Sequence, residues 1–464
     1  MNWVDRLEEL ARLDRLLLRR DGGLAVVWGR RRVGKTRLLV EWSRRTGGHY
    51  FVADLTDPEL QRRRFAQSVG EILPGFAEVE YPDWGSLLDR LARDAASLDR
   101  RGPFVLDELP YLVAGSPELP SVLQRFFDHG ARQARLWFAV AGSSQAMMEG
   151  LILDRTAPLF GRAHAAFAVP PLLPGWIRDA TGIRNPVAAL QFWSAWGGLP
   201  RYWELAAPYA TRDDAVHDLV LDPGGVLHEE PNRLLTEEAP SAMALRSLLD
   251  VIGSGAHRPS EIASRLGMPA TSLPKAMARL LDLGLVQREV PFGEPERSGK
   301  RALYRLGDPF LRWWFGLVAP RRPQLHRLSR RERLALFLAR AAHFDASAWE
   351  ELCRLAVPHL AEHLGHTFGA ASRFWHGQGP EWDVVARSKD GVLLLGEAKW
   401  SPTALDAGDV LSMQQDLARK GVPMGHTGAI VHVLFAPVLP RRRPRGLPAN
   451  VCLVDGNMVL RALR

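Results

Sequence analysis

Lysine is scarce in this chain: six of 464 residues, Lys35, Lys275, Lys300, Lys389, Lys399 and Lys420, against 54 arginines. Cysteine is scarcer still, with only Cys353 and Cys452. Two cysteines exclude a disulfide framework and fit a reducing cytosol. No apolar run approaches the roughly 18 residues that would cross a bilayer. The start, Met1-Asn2-Trp3-Val4-Asp5-Arg6, is too polar for a signal peptide. The expectation is a cytoplasmic protein with no membrane partner. Hydrophobic residues at 46% and charged residues at 24% describe an ordinary globular chain. Its length predicts three domains at about 150 residues each. The net charge of +8 favours polyanionic partners, although an arginine-rich genome accounts for it equally well.

The scarcity of lysine gives two of its positions weight. A compact ammonium and a planar guanidinium are not interchangeable where a single point charge must fit. Lys35 lies in Gly29-Arg30-Arg31-Arg32-Val33-Gly34-Lys35-Thr36, which matches the phosphate-loop pattern G-x-x-x-x-G-K-[ST]. Leu24 to Trp28 reads as a buried strand before it, and Arg37 to Trp42 as a helix after it. That context predicts a nucleotide cradle of Gly29 to Arg37. Backbone N–H groups and the helix N-terminus would face the phosphates. Lys35 would reach the β- and γ-phosphates of ATP, and the Thr36 hydroxyl would ligate Mg²⁺.

A second apolar run, Phe104-Val105-Leu106, ends in Asp107-Glu108. Such a pair supplies one acid, Asp107, for the Mg²⁺ shell and another, Glu108, to activate the attacking water. A third run, Leu136 to Ala141, ends in Gly142-Ser143-Ser144, a polar strand end of the kind that reports nucleotide state, though equally a good turn.

These segments resemble the archaeal-type ATPase family of the AAA-related and STAND-like P-loop NTPases. The resemblance rests on Trp3-Val4-Asp5-Arg6 with Glu8-Glu9-Leu10, the phosphate loop, Leu106 to Leu112 and Gly142-Ser143-Ser144. Pro158-Leu159-Phe160-Gly161-Arg162 and Gly197-Gly198-Leu199-Pro200-Arg201-Tyr202 add to it. Asp5 departs from the family, which often has Gly there. The resemblance implies that Arg162 is a γ-phosphate sensor or finger. Acting in trans it implies a homo-oligomer; acting in cis it allows a monomer. A helical lid is implied around Gly197.

Residues 241–290 read as helix, turn, helix and strand. Gly267 stops one helix, and Leu273, Ala276, Leu280 and Leu283 form one face of the next. Arg297-Ser298-Gly299-Lys300-Arg301 would be a wing tip. This is a helix-turn-helix plan that offers Thr271, Ser272, Lys275 and Arg279 to a DNA major groove; protein docking is the competing use. The aromatic stretch Asp308 to Phe315 reads as core rather than a base-stacking platform.

In the last third, Glu381 to Arg387 and Val392 to Lys399 read as a hairpin around Lys389-Asp390-Gly391. A three-residue loop pairs residues whose numbers sum to 780, setting Asp383 opposite Glu397 and Glu381 opposite Lys399. Opposed Cβ atoms lie about 4.5–5.5 Å apart, so Asp383 and Glu397 could share a divalent ion while Lys399 orients its water. A one-residue slip would destroy the arrangement. The pattern resembles the PD-(D/E)xK nuclease superfamily, a domain often found at the C-terminus of the ATPase family named above. That resemblance implies a helical metal acid at Glu350 and a later glutamine at Gln414 or Gln415. Arg441-Arg442-Arg443-Pro444-Arg445 could contact phosphates, though a solvated loop serves equally.

The expected architecture is α/β: a P-loop NTPase parallel sheet over 1–165 and a helical lid over 166–235. A winged helix over 236–320 and a linker over 321–344 follow. A restriction-endonuclease-like α/β domain covers 345–464. The expected function is a Mg²⁺-dependent ATPase coupling nucleotide state to DNA binding and to metal-dependent phosphodiester cleavage. The alternative is a nucleotide-dependent switch that does not cut. A weaker third reading has the protein acting on RNA or on protein partners.

Overall fold

The computed structural model describes residues 3–100, 102–143, 145–152, 155–238, 242–296, 301–376, 379 and 381–464. Ser144 and wing-tip residues 297–300 lie outside the described residues. The chain divides into two compact units, residues 5–171 and residues 172–464, the latter with the first few residues of the chain.

The first unit is built on strands β1 (Gly23–Trp28), β2 (His49–Val52), β3 (Phe104–Asp107), β4 (Trp137–Gly142) and β5 (Ala163–Ala168). They form one sheet in the order β2-β3-β4-β1-β5. Every neighbouring pair is parallel. Strands buried on both faces read as continuous apolar runs. Accordingly, Leu24 to Val27 and Phe138 to Ala141 are fully buried. Phe104, Phe126 and Phe127 close around Phe138 with ring centroids 5.2–5.6 Å apart. Because all five strands run the same way, β1, β3 and β4 deliver their C-terminal ends to a single edge, where ligands of open α/β sheets bind.

The second unit begins with helices, including Pro186–Trp196 and Pro200–Ala206. Helices Ala242–Gly253, Pro259–Arg265 and Leu273–Asp282 follow. They lead into an antiparallel pair, β6 (Val286–Glu289) and β7 (Leu303–Leu306). Gly267 takes φ +64° just beyond the second helix, a conformation that costs glycine little. Phe310, Trp313 and Trp314 are buried. The indole N–H groups of Trp313 and Trp314 donate to the carbonyls of Ala195 and His228, both at 2.9 Å, so this aromatic stretch is core.

The basic stretch expected as a linker contains a short helix, Arg322–Leu325, and the start of the 27-residue helix Arg330–Ala356. A reciprocal capping box between Ser329 and Glu332 opens the long helix. It crosses the expected boundary at 344/345 without a break.

The last sheet is mixed. It contains β8 (Ser372–Phe374), β9 (Trp382–Arg387), β10 (Leu393–Ala398), β11 (Ile430–Ala436) and β12 (Val451–Asp455), in the order β12-β11-β10-β9-β8. β9 and β10 pair antiparallel from Arg387 opposite Leu393 to Val384 opposite Gly396, so paired residue numbers sum to 780. Gly391 takes φ +88° in the loop, and Ser388 N–H donates to Val392 O at 3.0 Å. The ladder ends at Gly396, one step before the position where Asp383 would face Glu397.

Candidate functional site

The phosphate loop leaves β1 at Gly29 and ends at Gly34, which caps the helix Lys35–Thr46. Both glycines have positive φ, +144° and +93°. A side chain on Gly29 would also meet the Val169 carbonyl at 2.8 Å, so the loop needs glycine there on two grounds. Lys35 is only 5% exposed. Its Nζ donates to Gly29 O at 2.7 Å and Arg30 O at 3.1 Å, folding back over the loop. Arg6 is buried, takes a left-handed φ of 70° and donates to Val33 O at 2.9 Å. That contact ties the opening motif of the chain to the loop. Arg31 donates to the Tyr111 hydroxyl at 2.9 Å, and Thr36 and Arg37 are exposed.

Asp107 joins this loop to β3. It is 1% exposed, yet Oδ2 accepts from the hydroxyls of Thr36 and Tyr50, each at 2.8 Å. Its Oδ1 accepts from Glu108 N–H at 2.9 Å. A buried carboxylate needs such donors, and here they fix its direction. Tyr50 stays a phenol, because burial first and the Asp107 charge second push its ionisation upward. Glu108 holds a left-handed φ of 56°, rare for a residue with a side chain. Its Oε2 accepts from Ser143 Oγ at 3.0 Å and Ser143 N–H at 3.3 Å. The end of β4 therefore holds the candidate base.

Arg162 lies elsewhere on the sheet. Ala163, the next residue, sits alongside Leu24 near the start of β1. β1 must run its length, on the order of 15 Å at about 3.3 Å per residue, before reaching the loop. Arg162 makes a bidentate fork with Asp128, at 2.8 and 2.9 Å, and also donates to Pro158 O at 3.0 Å.

The C-terminal carboxylates lie in the second unit. Arg354, on the long helix, donates to Asp383 O at 3.1 Å and stands 3.8 Å from Glu350 Oε2. Asp383 Oδ2 accepts Ala398 N–H at 3.0 Å. Burial raises the pKa of both Glu350 and Glu397, and the Asp383 charge raises each further. Three acids are thus electrostatic neighbours, with Asp383 common to both couplings. Lys399 is exposed; Gln414 is half-buried and Gln415 exposed.

One partner escaped sequence reasoning. Lys420 pairs with Glu397, donates to Glu381 O at 3.1 Å and lies 5.3 Å from the Trp382 ring centroid. Its signal was its rarity among six lysines. Among the described residues, no group of three or more His, Cys, Asp or Glu side chains is arranged to hold a metal ion. The acids form a coupled neighbourhood rather than a finished ligand cage. By contrast, the contact between the Thr36 hydroxyl and the Asp107 carboxylate fits the oxygen shell of Mg²⁺.

A parallel sheet with a glycine loop, a buried acid and a second acid at one edge is a P-loop-type arrangement. Residues 3–202 match the family described as an ATPase domain predominantly from Archaea. Residues 314–410 match a family described as archaeal and bacterial proteins of unknown function; Glu350, Asp383, Glu397 and Lys399 fall within it, and Lys420 beyond it. An uncharacterized protein of Methanocaldococcus jannaschii is 25% identical over 431 residues, covering 91% of this chain and 92% of that protein. The fold is similar to that of a Walker-type ATPase of Pyrococcus abyssi. The TM-score is 0.52 at 18% identity, over 67% of this chain and 95% of that one. No helix among the described residues is long and apolar enough to cross a membrane.

Proposed function

We propose that this chain is a Mg²⁺-dependent ATPase whose nucleotide state governs DNA binding. The observation that carries the reading is the 2.8 Å hydrogen bond between Thr36 Oγ1 and Asp107 Oδ2, which brings the phosphate-loop hydroxyl to the acid of β3. Thr36 and Asp107 would hold Mg²⁺, which when bound neutralises charge on the phosphate oxygens. Lys35 would leave the carbonyls of Gly29 and Arg30 for the β- and γ-phosphates. Glu108, released from Ser143, would take the proton of the attacking water. Arg162 serves a neighbouring copy's nucleotide rather than its own, since its strand position is remote from its own loop.

DNA binding is assigned to a winged helix made of the three helices from 242 to 282 and the β6–β7 pair. Leu273, Met277 and Leu280 are buried, leaving Thr271, Ser272 and Lys275 exposed on the other side. Polar and cationic side chains at the start of such a helix suit a major groove.

A second reading, in which the last domain also cuts the nucleic acid, is favoured by the coupling of Glu350 and Glu397 to Asp383. Asp383, Glu397 and Glu350 would hold the metal, with Lys420 first displaced from Glu397. Lys399 would orient the water. The expected result is Mn²⁺-dependent nicking of supercoiled plasmid that falls at least about 100-fold in Lys399→Ala, within the range for loss of a positioned acid–base or charge-stabilising group. Raised carboxylate pKa values mean that Glu350 and Glu397 keep their protons to higher pH than ordinary glutamates. Mn²⁺ affinity, measured by calorimetry, should therefore fall as pH drops towards the raised values. Intact plasmid with both metals, with and without ATP, leaves the non-cutting switch; cleavage of RNA alone redirects the assignment to RNA.

A further inference from the structure

The second unit contains a cavity of about 140 Å³, distant in sequence from the phosphate loop. Three arginines line it, Arg305 of β7, Arg312 of the helix Pro309–Trp313 and Arg340 of the long helix, together with His257, His343 and Ser347. Among the described residues, no carboxylate lines it. The nearby acids pair with the guanidinium groups without lining the space: Glu289 lies 3.4 Å from Arg305, and Glu351 lies 2.5 Å from Arg312.

The remaining donors of this group are directed with the same economy. Arg305 donates to Ser347 Oγ at 2.8 Å, Arg312 to Leu306 O at 2.7 Å and Arg340 to Gly316 O at 2.6 Å. A guanidinium has five N–H donors, so these bonds orient each fork and leave donor capacity over. Burial works against the Arg305 charge; the Glu289 carboxylate offsets part of that, and Arg312 adds repulsion. Three half-buried guanidinium groups thus converge on one small volume, two of them paired with an acid outside it, so an entering anion meets N–H donors already fixed in direction.

We propose that this cavity is a binding site for a phosphate-type oxyanion, as free phosphate or as the terminal phosphomonoester of a small molecule. Arginine forks match tetrahedral oxyanions bidentately, and the Ser347 hydroxyl and the histidines add adaptable partners. The cavity has room for a phosphate group together with waters. Arg340, His343 and Ser347 follow helical spacing that continues to Glu350, so occupancy bears on the same helix face that carries the acid beside Asp383.

Calorimetric titration of the full-length Lys35→Ala variant, which lacks the phosphate-loop ammonium, tests this site. Inorganic phosphate and 5′-AMP serve as probes in parallel. The expected result is saturable one-to-one binding of at least one probe, weakened at least tenfold by adding Arg340→Gln or His343→Ala and unchanged by adding Lys399→Ala. Tighter phosphate binding identifies the free ion as ligand; tighter AMP binding identifies a phosphomonoester. His343→Ala removes an exposed side chain and decides the matter if Arg340→Gln unfolds. Absence of saturable binding up to about 10 mM, equivalent to a standard free energy weaker than about −2.7 kcal/mol, overturns the proposal. So does binding that ignores both cavity substitutions.

Discussion

Glu108→Gln should slow ATP turnover by about 10²–10⁴-fold, the range for loss of a general base, while ATP binding changes by no more than a few-fold. The glutamine amide keeps the volume of the carboxylate, and its oxygen can still accept from Ser143 Oγ, now 3.0 Å from Glu108 Oε2. What it loses is the capacity to take a proton. Asp107 should be undisturbed, because its link to residue 108 is through the backbone N–H at 2.9 Å. The left-handed backbone at 108 is likewise set by the chain. Single-turnover hydrolysis and equilibrium binding of ATP separate the two effects. Turnover within threefold of the unaltered protein would show that Glu108 is not the base.

Arg162→Ala should cost about 10³–10⁵-fold in turnover, the usual worth of an arginine finger, and the loss should be repairable by mixing. Ala163 runs beside Leu24 at the start of β1, whereas the phosphate loop follows Trp28 at its end. This separation along β1 is the ground for proposing that Arg162 acts on a neighbouring copy. A Lys35→Ala protomer, inactive itself, carries an intact Arg162; added to Arg162→Ala, it should restore activity to the intact phosphate loops. The fork to Asp128 must open for this, so turnover should rise with protein concentration as copies associate. Unaltered turnover in Arg162→Ala, or a mixture as inactive as its components, contradicts the assignment.

The sequence was most informative where local pattern and ladder arithmetic suffice. Apolar runs ending at Gly29, Asp107 and Gly142 gave three strands whose ends meet at one edge, because parallel strands share direction. The 389–391 loop gave the register of β9 and β10. The contacts between these elements were not legible. Ser143 meets Glu108 across 35 residues, and Lys420 meets Glu397 across 23. Neither separation follows a helix or strand period, so only tertiary packing makes them neighbours. The segment 321–344 misled for a different reason. Its arginines and Pro323 suggest an exposed connector, yet Ser329 and Glu332 have capping-box spacing, and that local signal starts the long helix. Asp128 as the partner of Arg162 also required the fold, since it lies at the end of a helix 34 residues away.

The proposed function stands on nucleotide binding by Lys35 and its loop. Lys35 is held at 2.7 and 3.1 Å by the carbonyls of Gly29 and Arg30, a position from which its ammonium can turn to phosphate oxygens. The most direct measurement is calorimetric titration of Mg²⁺·ATP into the full chain and into Lys35→Ala, with thermal unfolding confirming that both are folded. The expected result is one-to-one binding to the unaltered protein and a loss of about 100-fold in affinity in the variant, or about 2.7 kcal/mol, as for a charge-assisted contact. Equal affinity in the two proteins would show that the nucleotide does not bind at this loop.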